Sequence, residues 1–149
     1  GLQYKQHRNF ELPRMVGAQH EHGLDYYVAA SKVYFHAIAG RNLLLNATIR
    51  ATKANQTGLL GFGSAATDHY RYMLEASAAL LLTPELAVGV EFRQKPNQLA
   101  FADEQHWRDV FVGWFINRHV SLVGGYVDLG RIAGLAQQQG FYLAVEATW

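Results

Sequence analysis

Apolar and polar residues alternate along most of this chain. Phe141, Leu143, Val145, Ala147 and Trp149 take every second place, with Tyr142, Ala144, Glu146 and Thr148 between them. A period of two puts the two sets on opposite faces of a β-strand. The rhythm recurs upstream. Tyr70, Tyr72, Leu74, Ala76, Ala78, Leu80 and Leu82 form one face, with Arg71, Glu75 and Ser77 on the other. Leu86, Val88, Val90 and Phe92 alternate with Ala87, Gly89, Glu91 and Arg93. Val110, Val112, Trp114 and Ile116 alternate with Asp109, Phe111, Gly113 and Phe115. Val120, Leu122, Gly124 and Tyr126 make a further strand, blurred by Val123 and Val127. Leu43, Leu45, Ala47, Ile49 and Ala51 alternate with Asn46, Thr48, Arg50 and Thr52, and Tyr27, Ala29, Val33 and Phe35 do so less cleanly. The pattern predicts an all-β chain of seven clear strands plus an N-terminal stub, Leu2 to Gln6.

The connections carry a second signal. Short turns fall near 37–41, 83–85 and 117–119, and long connections near 7–23, 56–68, 95–106 and 130–138. Thr83-Pro84-Glu85 is a turn in which proline presets φ. Strict alternation of short and long connections is the habit of outer-membrane barrels, with short turns periplasmic and long loops extracellular. Each strand is near the length of about 9–11 residues that a tilted strand needs to cross a bilayer. The expectation is an antiparallel transmembrane β-barrel in the outer membrane of a Gram-negative bacterium. Residues 1–149 then form one barrel domain, eight-stranded if the stub is a strand, or the C-terminal portion of a larger barrel. A final strand closing on an aromatic resembles the signal read by the barrel assembly machinery, with Phe141, Leu143, Val145 and Trp149 as its residues. A soluble lipocalin-like or sandwich protein would show the same alternation with its apolar face inward. Against that stand Tyr70, Tyr72, Trp107, Trp114, Tyr126, Phe141 and Trp149, which fall near the expected strand ends, where an interfacial girdle belongs.

Composition narrows the field. The 149 residues are 50% hydrophobic, yet the mean hydropathy is only -0.08, a balance that strands with one apolar face provide. The net charge of +1 and the lack of a Lys/Arg run argue against a nucleic-acid partner. With no cysteine, disulfides, thiolate nucleophiles, thiolate zinc sites and covalent c-type haem are excluded. No apolar run approaches the roughly 18 residues of a transmembrane helix. The chain opens on Gly1-Leu2-Gln3 with no Met and no signal peptide, so a mature chain or a piece of a longer one is expected.

Several stretches point to one family. These are Asp25-Tyr26-Tyr27-Val28-Ala29-Ala30-Ser31-Lys32, Gly40-Arg41-Asn42-Leu43-Leu44-Leu45-Asn46-Ala47-Thr48, and Arg50-Ala51-Thr52-Lys53-Ala54-Asn55-Gln56 running into Gly58-Leu59-Leu60-Gly61-Phe62-Gly63. Leu86-Ala87-Val88-Gly89-Val90-Glu91, Asp109-Val110-Phe111-Val112, and His119-Val120-Ser121-Leu122 leading to Tyr126-Val127-Asp128-Leu129-Gly130 join them. Together they resemble an uncharacterised proteobacterial family, domain of unknown function 3034, over nearly the whole chain. Members of that family are longer, with a signal peptide, so the resemblance implies a C-terminal part and an envelope location. It transfers no catalytic residue.

Candidate chemistry lies on the polar faces. Arg50, Arg71, Glu75, Glu91, Arg93, Asp109 and Glu146 would line the interior. In a narrow barrel they pair and plug it, and in a wide one they border a wet pore and set ion preference. His119-x-Ser121 places a base and a nucleophile on one strand face with Glu146 beside them, as in outer-membrane lipid A deacylases. That enzyme reading is a remote alternative, because His119 sits at a short turn. His20-Glu21-His22 offers two imidazoles and a carboxylate but no fourth ligand nearby. The segment 58–63 is glycine-rich yet lacks the Lys-Ser/Thr of a phosphate loop, and its Leu and Phe suggest folding into the lumen, docking on a neighbour, dipping into lipid or self-packing. The reading is a non-enzymatic, porin-like passive channel without cofactor or metal. Its partners are outer-membrane lipid and the assembly machinery, with room for a protein partner or a homo-oligomer. The alternative is a structural or partner-binding barrel with a plugged lumen.

Overall fold

A computed structural model describes residues 1–99, 104–132 and 134–149. One antiparallel sheet of eight strands dominates it. In sheet order these are β1 (Leu2–Gln6), β3 (His22–Ile38), β4 (Arg41–Thr52), β6 (Arg71–Leu81), β7 (Leu86–Arg93), β8 (Trp107–Asn117), β9 (Val120–Ile132) and β10 (Leu135–Ala147). Apart from the small elements in the loops, each strand pairs with the next along the chain, so the sheet is a meander. The stub is a strand, and the seven expected strands are all present. A five-residue helix α1 (Glu11–Met15), a small sheet of β2 (Ala18–His20) with β5 (Phe62–Ser64), and a 3-10 turn over Gln56–Gly58 sit in the connections.

The connections divide by end. At one end β3–β4, β6–β7 and β8–β9 are joined by tight turns. Ala39 and Gly40 both have positive φ, 49° and 73°, as a two-residue hairpin turn requires. Asn117 Oδ1 accepts from the His119 and Val120 amides at 2.8 and 3.0 Å, closing the β8–β9 turn. The other end carries the long connections, hereafter the loop end. The expected long connection at 130–138 is a correction: β9 and β10 run on as a hairpin to Ile132 and Leu135. The glutamine run read as loop is a bulged strand, with register shifts at Gln138 and φ 57° at Gln137. Of the connection expected at 95–106, residues 100–103 lie outside the described residues.

Register sorts the faces. Val28 lies opposite Ile49, and Ile49 opposite Leu74. Ala78, Val90, Val110, Tyr126 and Phe141 follow one another across the remaining strands. This apolar face runs through all eight strands and is uncovered: Val90 is 52% exposed, Val110 55% and Phe141 88%. Two placements differ from expectation. In β3 the apolar face holds Tyr26, Val28 and Ala30, while Tyr27, Ala29 and Val33 share the other face. Both parities are apolar there, so alternation alone could not choose, and pairing with β4 decides. Trp107 is no girdle residue. It pairs with Arg93 on the polar face and lies under that guanidinium, 5.6 Å from its ring centroid.

The expected closed barrel is not what the structure shows. β1 covers β3 only as far as Tyr26, with Gly1 bonding Tyr27. One edge of the sheet is therefore β1 with residues 28–38 of β3, the other is β10, and the two are not paired among the described residues. The buried core is small and lies largely at the loop end, where Ala18, Ala54, Phe62 and Leu99 are covered.

Candidate functional site

All seven residues expected to line an interior stand on one face. The register runs from Arg50 to Met73 and from Thr52 to Arg71. It continues from Glu75 to Arg93 and from Glu91 to Asp109. Glu146 pairs with Ser121 on the same side. Directly opposed residues on neighbouring strands share a face and interact, and here they build a ladder at the loop-end half. Asp25, 1% exposed, accepts from Lys5 Nζ at 3.0 Å and from the Thr52 hydroxyl, with Arg50 Nη1 at 3.6 Å. Arg50 Nε donates to Glu75 Oε1 at 2.7 Å, and Arg93 Nη2 reaches the same oxygen at 2.9 Å. Arg50 Nη1 also donates to Gln3 at 3.0 Å. Aromatic rings flank the ladder: Arg50 lies over Tyr27 at 5.0 Å and Arg93 over Trp107 at 5.6 Å.

Arg50, Glu75 and Arg93 are thus brought together. Arg71, Glu91, Asp109 and Glu146 share their face without joining the ladder. Arg71, Glu91 and Glu146 are exposed, and Asp109 is half-buried. Lys5, Asp25, Tyr27 and Trp107 are ladder members that the sequence reading missed. A signal existed, since Gln3 and Lys5 alternate with Leu2 and Tyr4, and Asp25 with Leu24 and Tyr26. Below the ladder the same face turns apolar. Leu44, Ala79, Gly89 and Phe111 form one row, and Leu81, Ala87, Gly113 and Val123 the next. The face is therefore charged near the loops and apolar near the turns.

The loops fold over the charged half. Phe62, 1% exposed, seats its ring where a side chain at Gly23 would stand, so only glycine fits at 23. Gly23 opposes Lys5 on the polar face, which puts the segment 58–63 against this face. Lys5 Nζ also donates to Thr57 O at 2.9 Å, and His7 Nε2 donates to the Gly58 carbonyl. Asn55 Nδ2 donates to Gly63 O at 2.8 Å and Leu60 O at 3.2 Å. Leu59 points out, 68% exposed. Beside this segment a hollow of about 470 Å³ lies between residues 15–17, residues 64–66 and Leu99.

The other motifs resolve separately. His20 belongs to β2 and faces Asp68 at 3.3 Å, while His22 opens β3 and packs on Tyr4 at 6.1 Å. Among the described residues no cluster of three or more His, Cys, Asp or Glu has metal-binding geometry. His119 Nδ1 donates to Thr148 O at 2.9 Å, and its Nε2 accepts from Arg118 Nε at 3.1 Å. Neither nitrogen is directed at Ser121. Phe141, Leu143 and Val145 stand on the apolar face of edge strand β10, 65–88% exposed, and Trp149 is fully exposed beyond it.

A protein-family model, described as "Protein of unknown function (DUF3034)", matches residues 1–146. No curated protein and no solved structure matches the chain.

Proposed function

The chain belongs to the family of proteins of unknown function DUF3034, and on that premise we propose that it forms the lipid-facing wall of an outer-membrane β-barrel with a porin-like, passive transport role. One observation carries the reading: an apolar face continuous across eight strands is uncovered among the described residues, while Arg50, Glu75, Glu91, Arg93 and Asp109 sit on the other face and Lys32, Arg108 and Asp128 are charges that share the apolar one. A soluble sheet buries its apolar face against another layer, and no such layer lies on this one among the described residues. In lipid the arrangement is reversed: apolar side chains meet acyl chains, and charged ones line the interior. Phe141, Leu143, Val145 and Trp149 serve as the assembly signal. The two open edges are joined in the membrane, because unpaired backbone groups are not tolerated there.

A second reading, a plugged barrel with a structural or partner-binding role, draws on the ladder. Its charges are largely mutually satisfied, and the inward-folded segment 58–63 covers them. Planar-bilayer conductance separates the two. The channel reading expects discrete conductance steps from purified, refolded protein. Their absence from protein shown to be inserted would leave the plugged barrel.

A further inference from the structure

Residues 94–99 cross the polar face as a strap, and one buried lysine fastens it. Gln94 still belongs to the sheet, since its amide donates to Leu74 O at 2.9 Å and its side-chain oxygen accepts from Leu74 N at 2.9 Å. The chain then leaves the strand. Lys95 Nζ passes over the Trp107 ring of β8 at 5.8 Å and reaches β9, donating to Leu129 O at 3.0 Å and Arg131 O at 2.9 Å. Both carbonyls lie beyond Asp128, the last residue of β9 that β8 pairs. Lys95 thus satisfies a stretch of edge that no strand reaches. Its third donor faces Glu104 Oε2 at 3.3 Å, with side-chain exposures of 0% and 2%. An ammonium has three N–H donors, and all three are engaged. Burial pushes the Lys95 ammonium below its ordinary pKa, while the Glu104 charge and hydrogen bond pull it back.

The Lys95 amide also donates to His106 Nδ1 at 3.4 Å. Among the described residues Lys95, Pro96, Gln98 and Leu99 make no main-chain hydrogen bond to a strand. Gln98 is 4% exposed, and neither its amide nitrogen nor its oxygen has a partner. A buried amide left unpaired disfavours the state that buries it. Leu99 lines the hollow together with residues 15–17 and 64–66, so the strap reaches the other loops. The Lys95 ammonium anchors a segment in which the orphaned Gln98 amide favours opening.

We propose that residues 94–99 are a lid over the loop end of the polar face and that Lys95 is its latch. With Lys95 seated on Leu129, Arg131 and Glu104 the lid is shut. With Lys95 withdrawn the strap lifts and the Gln98 amide reaches water. The latch stands on its own contacts, but a role in gating passage rests on the barrel reading above.

Lys95→Met, which keeps the length and removes the donors, is compared with wild type by amide hydrogen exchange in detergent and by conductance in planar bilayers. Exchange at 94–99 should accelerate about tenfold or more, with the β8 amides of Val110 and Val112 unchanged. Lys95→Arg, which retains charge and donors, should stay near wild type. If Lys95→Met loses β8 protection as well, Glu104→Gln replaces it, with the same local acceleration expected on a smaller scale. Unchanged exchange at 94–99 in a folded variant overturns the latch. Faster exchange with a higher open fraction supports both latch and channel. Faster exchange with no conductance in either protein keeps the latch and overturns the transport reading.

Discussion

At Asp25 three side chains converge on a carboxylate that is almost wholly out of water: Lys5, Arg50 and the Thr52 hydroxyl. Removing one partner from a buried charge set strands the others, at a cost of roughly 3–5 kcal/mol. Asp25→Asn is therefore expected to lose about 3 kcal/mol of unfolding free energy in denaturant titration of the detergent-folded protein. Glu146→Gln, on the same face but exposed, should stay within about 0.5 kcal/mol of wild type. Equal losses at the two positions would mean that the ladder is not the stabilising part of this face. The contrast also marks what the sequence discloses at this scale. Parity along a strand identifies the face of Glu146 and of Glu75 alike. It does not say which of them finds a partner, because that depends on the register of strands up to 47 residues apart, as for Gln3 and Arg50. Lys95 was hidden for the same reason: its acceptors are main-chain carbonyls 34 and 36 residues away, and carbonyls leave no mark in a sequence.

Among the elements, strands were legible and loops were not. With β9 blurred by Val123 and Val127, five of the long strands show clean enough alternation for their faces to be read directly. β3 does not, because Tyr26, Tyr27, Val28, Ala29 and Ala30 are apolar at both parities and Lys32 sits on the apolar face. Residues 130–138 read as a connection because Gln137 and Gln138 break the period, which a bulge also does. The fold of 58–63 against the polar face depends on a fit between Phe62 and Gly23 that no local pattern announces. Asp68 ties this loop down, accepting from His20 and from Lys53 at 3.3 and 3.2 Å. Burial pushes its carboxyl up, but those hydrogen bonds and the Lys53 charge outweigh burial and hold it below its ordinary value. A depressed folded pKa gives stability that is present above the unfolded value and lost as pH falls through the folded one. The stability difference between wild type and Asp68→Asn should favour wild type at neutral pH and vanish in strong acid. A difference independent of pH would contradict this. On the apolar face the expected cost is of another kind. Val90→Arg puts a charge where hydrocarbon cannot replace its hydration, for about 2–4 kcal/mol in lipid near mid-membrane, against a small effect for a polar substitution at Ser77 on the opposite face.

For the molecule as a whole, the account turns on what covers the apolar face. Among the described residues eight strands present it without a covering layer, the charged side is folded under its own loops, and the sheet stays open at β1–β3 and at β10. Alternation foretold the two-faced sheet and its seven long strands, and left the N-terminal stub open. Closure was beyond it, because closure depends on edge pairing rather than on the pattern within a strand. The direct test uses the absence of cysteine: a single cysteine at position 90 or at position 77 carries a fluorophore in protein refolded into vesicles whose acyl chains bear a quencher. The account predicts strong quenching at 90 and little at 77, since Val90 stands on the proposed lipid face and Ser77 on the opposite face of the sheet. No quenching at 90, or equal quenching at both positions, would contradict it, and the assignment of a membrane barrel would fall with the transport reading built on it.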